Sequence, residues 1–126
     1  MINRLPGTTP ADPDDDGSVD PALAAVLSTG DSAEVSIVLL SSRLLVPVIA
    51  MPGDGEAEMA VPALVNADGG RALPVFSSYD ALRAWRADAR PVPMSGARVM
   101  AGARAEGYEG VVLDVAGPHP FTFAIG

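Results

Sequence analysis

The stretch MAVPALVNADGGRALPVFSSYDALRAW, residues 59–85, decides the fold of this 126-residue chain. It predicts a strand over residues 61–65, a tight turn, a second strand over residues 73–76 and then a helix. Asp68-Gly69 is a strong hairpin signal, because these residue types adopt the positive φ angles of a tight turn at little cost. A hairpin alone is marginally stable in water, so the helix that follows must cover its apolar face.

The start of this helix is marked by two serines. Ser77 or Ser78 is the expected N-cap, and Ser77 with Asp80 three residues later approximates a capping box. Leu82 and Trp85 have the i, i+3 spacing that places them on one face of the helix. Pro74 lacks a backbone donor, so we expect its strand to lie at a sheet edge or a bulge rather than in a central ladder.

Before the hairpin, the chain predicts two helices and a strand. Asp20-Pro21 is a helix start signal and Gly30 ends that helix. Residues 33–42 are apolar nearly all round, which fits a buried helix or a buried strand. We predict a helix, because residues 44–51 make a better strand and two consecutive strands would have no room to turn. Residues 52–55, Pro-Gly-Asp-Gly, then form a turn.

After the hairpin and its helix, the chain predicts a short extended piece around Val92 and Met94, a helix over 97–106 and two closing strands. The first of these begins at Gly110 in GVVLDVA, a turn follows over 117–120, and the last strand covers 121–125. The expected fold class is therefore α+β, with a mixed, largely antiparallel sheet of about five strands and helices packed on it.

The composition excludes several chemistries. There are no cysteines, which excludes disulfides, thiolate metal sites and a cysteine nucleophile. There is no lysine, and the G-x-G-x-x-G and G-x-x-x-x-G-K-[ST] nucleotide signatures are absent. The formal charge of −8 divides into −6 for residues 1–34 and −2 for residues 35–126. An acidic chain with scattered arginines does not suit a phosphate backbone, so we expect no nucleic-acid partner.

The acidic front end contains a pattern that resembles a metal site. Residues 1–19 have the composition of a disordered leader, without the apolar region of a secretory signal. Asp12, Asp14, Asp16, Gly17 and Asp20 follow the spacing of a calcium-binding loop. The bidentate glutamate of such loops is replaced by Leu23, and no helix precedes Asp12. We therefore predict a solvated acidic leader over 1–19, one domain over 20–126, and no metal.

Membrane insertion is not expected either. Residues 35–51 are the most apolar stretch, but Arg43 lies near its centre and costs about 2.5–3.5 kcal/mol on insertion scales. We predict that the stretch is not a membrane span and that the chain is cytoplasmic.

The residues most able to carry catalysis are few. His119 is the one histidine, and Ser77 or Ser78 with His119 and Asp114 could in principle form a Ser/His/Asp arrangement. No G-x-S-x-G elbow accompanies them, and the serines are better explained as caps. Glu56 and Glu58 flank a turn and are expected to be solvated. We predict no catalytic, cofactor-binding or metal-binding residues.

Several segments together resemble a known family. LLVPVIA (44–50), NADGGRALPVFSS (66–78) running into YDALRAW (79–85), and GYEGVVLDVAGP (107–118) are similar to the N-terminal domain of SseB-type proteins, named for enhanced serine sensitivity. The resemblance covers about residues 20–126. It implies an α+β architecture and a soluble bacterial protein, and it implies no catalytic residues.

The functional prediction is a non-catalytic protein-interaction or scaffold domain that self-associates. Its expected partners are a second copy of the chain or an unidentified protein, with no cofactor, no nucleic acid and no membrane. Two alternatives stay open: an enzyme of unrecognised type that uses His119 with a nearby Ser or Asp, and weak calcium binding by the acidic leader.

Overall fold

The computed structural model of the protein describes residues 16–51, 58–117 and 120–125. The predicted turn at 52–55, Glu56 and His119 lie outside the described residues. The elements in chain order are α1 (Pro21–Leu27), α2 (Ser32–Leu39), β1 (Arg43–Met51), β2 (Glu58–Ala60), β3 (Leu64–Val65), β4 (Arg71–Val75), α3 (Tyr79–Trp85), β5 (Arg90–Ser95), α4 (Gly96–Ala105), β6 (Gly110–Leu113) and β7 (Phe121–Ala124).

The described strands divide between two sheets. One has the order β2-β1-β5 and the other the order β3-β4-β6-β7. The β4–β6 pair is parallel and every other pair is antiparallel. The α+β class and the mixed, largely antiparallel pairing are confirmed. The expectation of one five-stranded sheet is wrong, because the described strands form two sheets, which are joined by a bridge in which the backbones of Leu45 and Phe76 exchange hydrogen bonds of 2.8 and 2.9 Å.

The strand predicted over residues 61–65 forms only at its end, as Leu64–Val65, and a strand that was not predicted, Glu58–Ala60, precedes it. Residues Glu58–Ala60 pair with β1, and Leu64–Val65 pair with β4. Pro62 lies between the two short strands and has no N–H to donate to a ladder. The chain therefore leaves one sheet at this point and joins the other.

Pro74 does not lie at a sheet edge as predicted, because β4 has β3 on one side and β6 on the other. Backbone N–H groups point to alternate sides along a strand, so the nitrogen of Pro74 faces the same side as the N–H of Phe76. The Phe76 N–H donates to the Leu45 carbonyl. On that side the β3 ladder reaches only Ala72. The missing donor of Pro74 thus faces the gap between the end of β3 and the Leu45 bridge.

The hairpin turn follows its prediction with one extra residue. The N–H of Gly69 donates to the Asn66 carbonyl at 3.1 Å, and Gly69 has φ +83°. The N–H of Asn66 donates to the Gly70 carbonyl at 2.9 Å. This is a three-residue connection that ends in a left-handed glycine, rather than a two-residue turn on Asp68-Gly69.

The helix starts were largely predictable because capping is local. Asp20, Asp31, Ser78 and Ser95 are the N-caps of α1, α2, α3 and α4, and each side chain accepts from a backbone N–H of the first turn. The helix chosen over a strand for residues 33–42 is confirmed as α2. The core lies between these helices and the strands, in a large cluster and a smaller one that contains Leu45, Ile49, Phe76, Leu82 and Ala89.

Helices α2 and α4 meet end to end. The N–H groups of Gly96 and Ala97 donate to the carbonyls of Ser42 (3.0 Å) and Leu40 (2.9 Å). These bonds satisfy the free donors at the start of α4 and the free acceptors beyond the end of α2. A Cβ at position 96 would overlap the Leu39 carbonyl, so glycine is required at this junction.

Among the described residues, no helix has the length and the apolar content needed to cross a membrane.

Candidate functional site

Ser77 and Asp114 lie together at the carboxyl ends of the parallel strands β4 and β6. Ser77 follows Val75 by two residues, and Asp114 directly follows Leu113. This end of a parallel pair is where many α/β proteins bind ligands. The structure thus brings together two of the residues that the sequence nominated for a Ser/His/Asp arrangement.

Four hydrogen bonds define this Ser77–Asp114 pair. The Ser77 N–H donates to Asp114 Oδ1 at 2.8 Å, and Ser77 Oγ donates to Oδ2 at 2.6 Å. The Asp114 N–H donates to the Val75 carbonyl, and the Gly117 N–H donates to the Asp114 carbonyl, both at 2.9 Å. Asp114 has φ +54°, a left-handed conformation that aspartate tolerates better than most residues. The predicted strand GVVLDVA accordingly ends at Leu113.

The beginning of the described chain is bound beside this pair. The Arg43 guanidinium donates to the Ser77 carbonyl at 3.2 Å and also to the Ser18 carbonyl. The Tyr79 N–H donates to the Gly17 carbonyl at 2.7 Å. Gly17 has φ +82°, and a Cβ there would come 2.9 Å from Tyr79 Cβ. Residues at the end of the predicted leader therefore contact the domain closely.

The geometry of Ser77 suits a structural link better than a nucleophile. Its side chain is buried (3% exposed), and its proton is directed to a carboxylate, which is a weak base compared with imidazole. Ser78 is the N-cap of α3, since its Oγ accepts from the Ala81 N–H at 3.1 Å. The predicted Ser77–Asp80 capping box is therefore wrong, because Ser77 turns to Asp114 instead. His119 lies outside the described residues.

The acidic pattern at residues 12–20 is described only in part. Asp16 accepts from Ser18 N at 2.9 Å and from Ser18 Oγ at 2.6 Å, and these bonds hold the pKa of the Asp16 carboxyl below its ordinary value. Asp20 accepts from the N–H groups of Ala22 (3.0 Å) and Arg43 (3.3 Å). Within the ranges that the structure describes, no three His, Cys, Asp or Glu side chains are grouped as metal ligands.

A second polar cluster joins the hairpin to the start of β6. The Arg71 guanidinium lies over the Tyr108 ring, 4.8 Å from its centroid, and donates to the Glu106 carbonyl at 2.8 Å. Burial raises the pKa of the Tyr108 hydroxyl. The sequence analysis did not single out these residues, because the contact joins positions far apart in the chain. Each interaction holds the hairpin against the end of α4, so the cluster is structural.

The sequence analysis also missed an exposed apolar surface on α2. Val35 and Leu39 are buried on one side of this helix, while Ile37 and Leu40 are 72% and 46% exposed on the other. Ala33 and Ala97 are exposed next to them, and we call Ala33, Ile37, Leu40 and Ala97 the α2 surface. This exposure was hard to predict, because residues 33–42 are apolar nearly all round and a sequence of that kind predicts full burial.

Comparison with known proteins gives one match. The family model of the SseB protein N-terminal domain matches residues 19–125. Neither the curated proteins nor the solved structures gave a match. The family match begins one residue before the predicted domain start at Asp20 and includes every helix and strand described above. The chain therefore belongs to the SseB protein N-terminal domain family.

Proposed function

We propose that this SseB N-terminal domain is a non-catalytic protein-interaction module that self-associates. The observation that carries the proposal is the α2 surface, where large apolar side chains are exposed on a helix whose opposite side is already packed in the core. Contiguous apolar patches exposed on a folded domain are often interaction sites.

The state of the polar side chains supports the same proposal. Ser77 and Asp114 bond each other, Ser78 and Ser95 cap helices, and Arg43 bonds backbone carbonyls. Each of these groups is engaged in holding the fold. Catalysis instead requires a nucleophile, a base and a stabilising donor that converge on one reacting atom.

The expected association is weak. Full burial of a Leu or Ile side chain contributes about 1.5–3 kcal/mol, so covering the exposed parts of Ile37 and Leu40 contributes on the order of 1–2 kcal/mol each. Two copies together supply several kcal/mol, while association costs roughly 4–15 kcal/mol in lost freedom of motion. The most favourable balance of these two terms leaves about 4 kcal/mol, so we expect a dissociation constant of about 1 mM.

The test is the molar mass of the full chain at concentrations from well below this dissociation constant to above it. Sedimentation equilibrium and light scattering should give the monomer mass of 12.8 kDa at the dilute end and a rising mass at the concentrated end. A mass that stays at the monomer value throughout would contradict the proposal. Raised salt should not abolish the association, because the apolar contacts are not screened by ions.

A further inference from the structure

We infer that two copies of this chain pair through the α2 surface in an antiparallel, two-fold arrangement, with Leu40 near the axis and Glu34 of each copy opposite Arg98 of the other. This inference rests on the proposed function and names the surface, the partner and the orientation.

The first step is the continuity of the apolar surface. Ala33, Ile37 and Leu40 are spaced i, i+4 and i+7, so they share one side of the helix. All three are exposed. At the end of α2 the surface passes directly to α4, because the Ala97 N–H donates to the Leu40 carbonyl at 2.9 Å. Ala97 is exposed and small, so it leaves room for a large side chain of another molecule.

The second step is the register. With a two-fold axis near Leu40, the residues that precede Leu40 in one copy pack on the residues that follow it in the other copy. Ile37 then faces the small Ala97 of the second chain. Glu34 lies about 9 Å from Leu40 along the helix, at a rise of 1.5 Å per residue. Arg98 directly follows Ala97, so Glu34 comes within reach of it.

The third step is the charge at the two ends of the surface. Glu34 is exposed in the first turn of α2, and its carboxylate accepts a long hydrogen bond of 3.5 Å from the Thr29 hydroxyl. Arg98 is exposed and forms no ion pair within the part of the chain that the structure describes. The surface is thus acidic at one end and basic at the other. An antiparallel pair matches opposite charges twice, whereas a parallel pair places like charges together.

This charge pattern is why the occupant is a second copy. A two-fold interface uses the same surface on both chains and must be complementary to itself. A surface with an apolar centre, one acidic end and one basic end satisfies that condition when it is turned by 180°. Antiparallel alignment also brings the helix dipoles of the two α2 helices into a favourable arrangement.

The first experiment compares two glutamate substitutions by sedimentation velocity. Ile37→Glu should weaken association at least tenfold, because it places four acidic groups in one interface. The matched control is Val65→Glu, since Val65 is also apolar and 66% exposed but lies on β3; it should leave association within about twofold of the parent chain. If Val65→Glu weakens association as much as Ile37→Glu, or if Ile37→Glu has no effect, the inferred surface is wrong. A chain that never associates would instead contradict the proposed function itself.

The second experiment tests the orientation by charge reversal. Glu34→Arg and Arg98→Glu should each weaken association about three- to tenfold, and the double variant should recover most of the loss because the pair is restored with its signs exchanged. A double variant as weak as the sum of the two singles would overturn the antiparallel register, while the α2 surface itself could still stand on the Ile37→Glu result.

The third experiment is a positive one, because it looks for a new covalent bond between the two copies rather than for a loss of association. The chain has no cysteine, so Leu40→Cys introduces a single thiol near the inferred axis. Mild oxidation should convert it to a covalent dimer, because disulfides form when the two Cα atoms are about 4.4–6.8 Å apart. Val65→Cys should form far less dimer under the same conditions. Equal cross-linking of the two variants, or none at Leu40→Cys, would contradict the inference.

Discussion

Two serine–aspartate pairs in this protein have almost the same hydrogen bonds and different surroundings. In the Asp16–Ser18 pair, the carboxylate accepts from the serine N–H at 2.9 Å and from its hydroxyl at 2.6 Å. In the Ser77–Asp114 pair, the same two contacts are 2.8 and 2.6 Å. The first pair is exposed and spans two residues. The second joins residues 37 apart and is partly buried.

The comparison shows that the geometry of a hydrogen bond does not set its contribution to stability. Asp16 and Ser18 can bond water equally well when the chain unfolds, and their contact orders only three residues. In the Ser77–Asp114 pair, loss of the Asp114 carboxylate leaves the N–H and the hydroxyl of Ser77 without an acceptor and away from water. Each unsatisfied donor costs about 1–3 kcal/mol. The Ser77–Asp114 pair also fixes the turn that follows β6, where Asp114 is left-handed.

The largest expected effect is that of Asp114→Ala. The substitution removes two hydrogen bonds to a charged group and places a less tolerant residue at φ +54°, so we expect a loss of about 3–4 kcal/mol in the free energy of unfolding. Urea denaturation followed by circular dichroism measures it. A loss no larger than that of Asp16→Ala would break the comparison.

Asp114→Gly separates the two causes of that loss. Glycine adopts positive φ without strain but accepts no side-chain hydrogen bond, so this variant should be about 1 kcal/mol more stable than Asp114→Ala. The same denaturation experiment provides the measurement. If the two variants are equally unstable, the left-handed conformation contributes nothing and the hydrogen bonds account for the whole effect.

Ser77→Ala should have an intermediate effect. It removes the hydroxyl donor but keeps the N–H bond to Asp114, so we expect a loss of about 1–2 kcal/mol. Ser18→Ala is the matched control, since it removes the equivalent hydroxyl from the exposed pair, and it should leave the urea midpoint unchanged within error. A similar shift for both variants would show that burial does not distinguish the pairs.

The smallest expected effect concerns the titration of Asp16. Its pKa is lowered first by the Ser18 hydroxyl and then by the Ser18 N–H, so Ser18→Ala should raise the pKa toward its ordinary value. A lowered carboxyl pKa adds stability above the pKa of the unfolded chain and loses it as the pH falls through the folded value, here below about pH 4. Carboxyl chemical shifts during an NMR titration measure the pKa. An unchanged pKa in Ser18→Ala would contradict the cause assigned to it.

Prediction from the sequence succeeded where the deciding contacts are local. Asp20 with Pro21 marks the start of α1, and Gly107, with φ +79°, ends α4. Each of these signals acts within one or two turns of the chain. The chain order of helices and strands was predicted with one omission, because the short strand β2 (Glu58–Ala60) precedes the predicted strand over residues 61–65 and was not recognised.

Both residues of the candidate site could be named from the sequence, but the contact between them could not be predicted. Ser77 and Asp114 were considered together only in a Ser/His/Asp arrangement that the sequence did not favour, and the structure joins them as a link between β4 and β6. Nothing in the sequence near Ser77 indicates that Ser78, rather than Ser77, is the N-cap of α3. The parallel pairing of β4 with β6 decides between the two serines, because it places Asp114 beside Ser77.

The sequence by itself determined the helix caps, the hairpin, the α+β class and the excluded chemistries, because each depends on residue types or on neighbours a few positions apart. Only the tertiary structure decided the division into two sheets, the Ser77–Asp114 link and the exposed side of α2. These depend on which surfaces meet after residues far apart in the chain have packed. A helix that is apolar all round has no local signal to state which of its sides the core will cover.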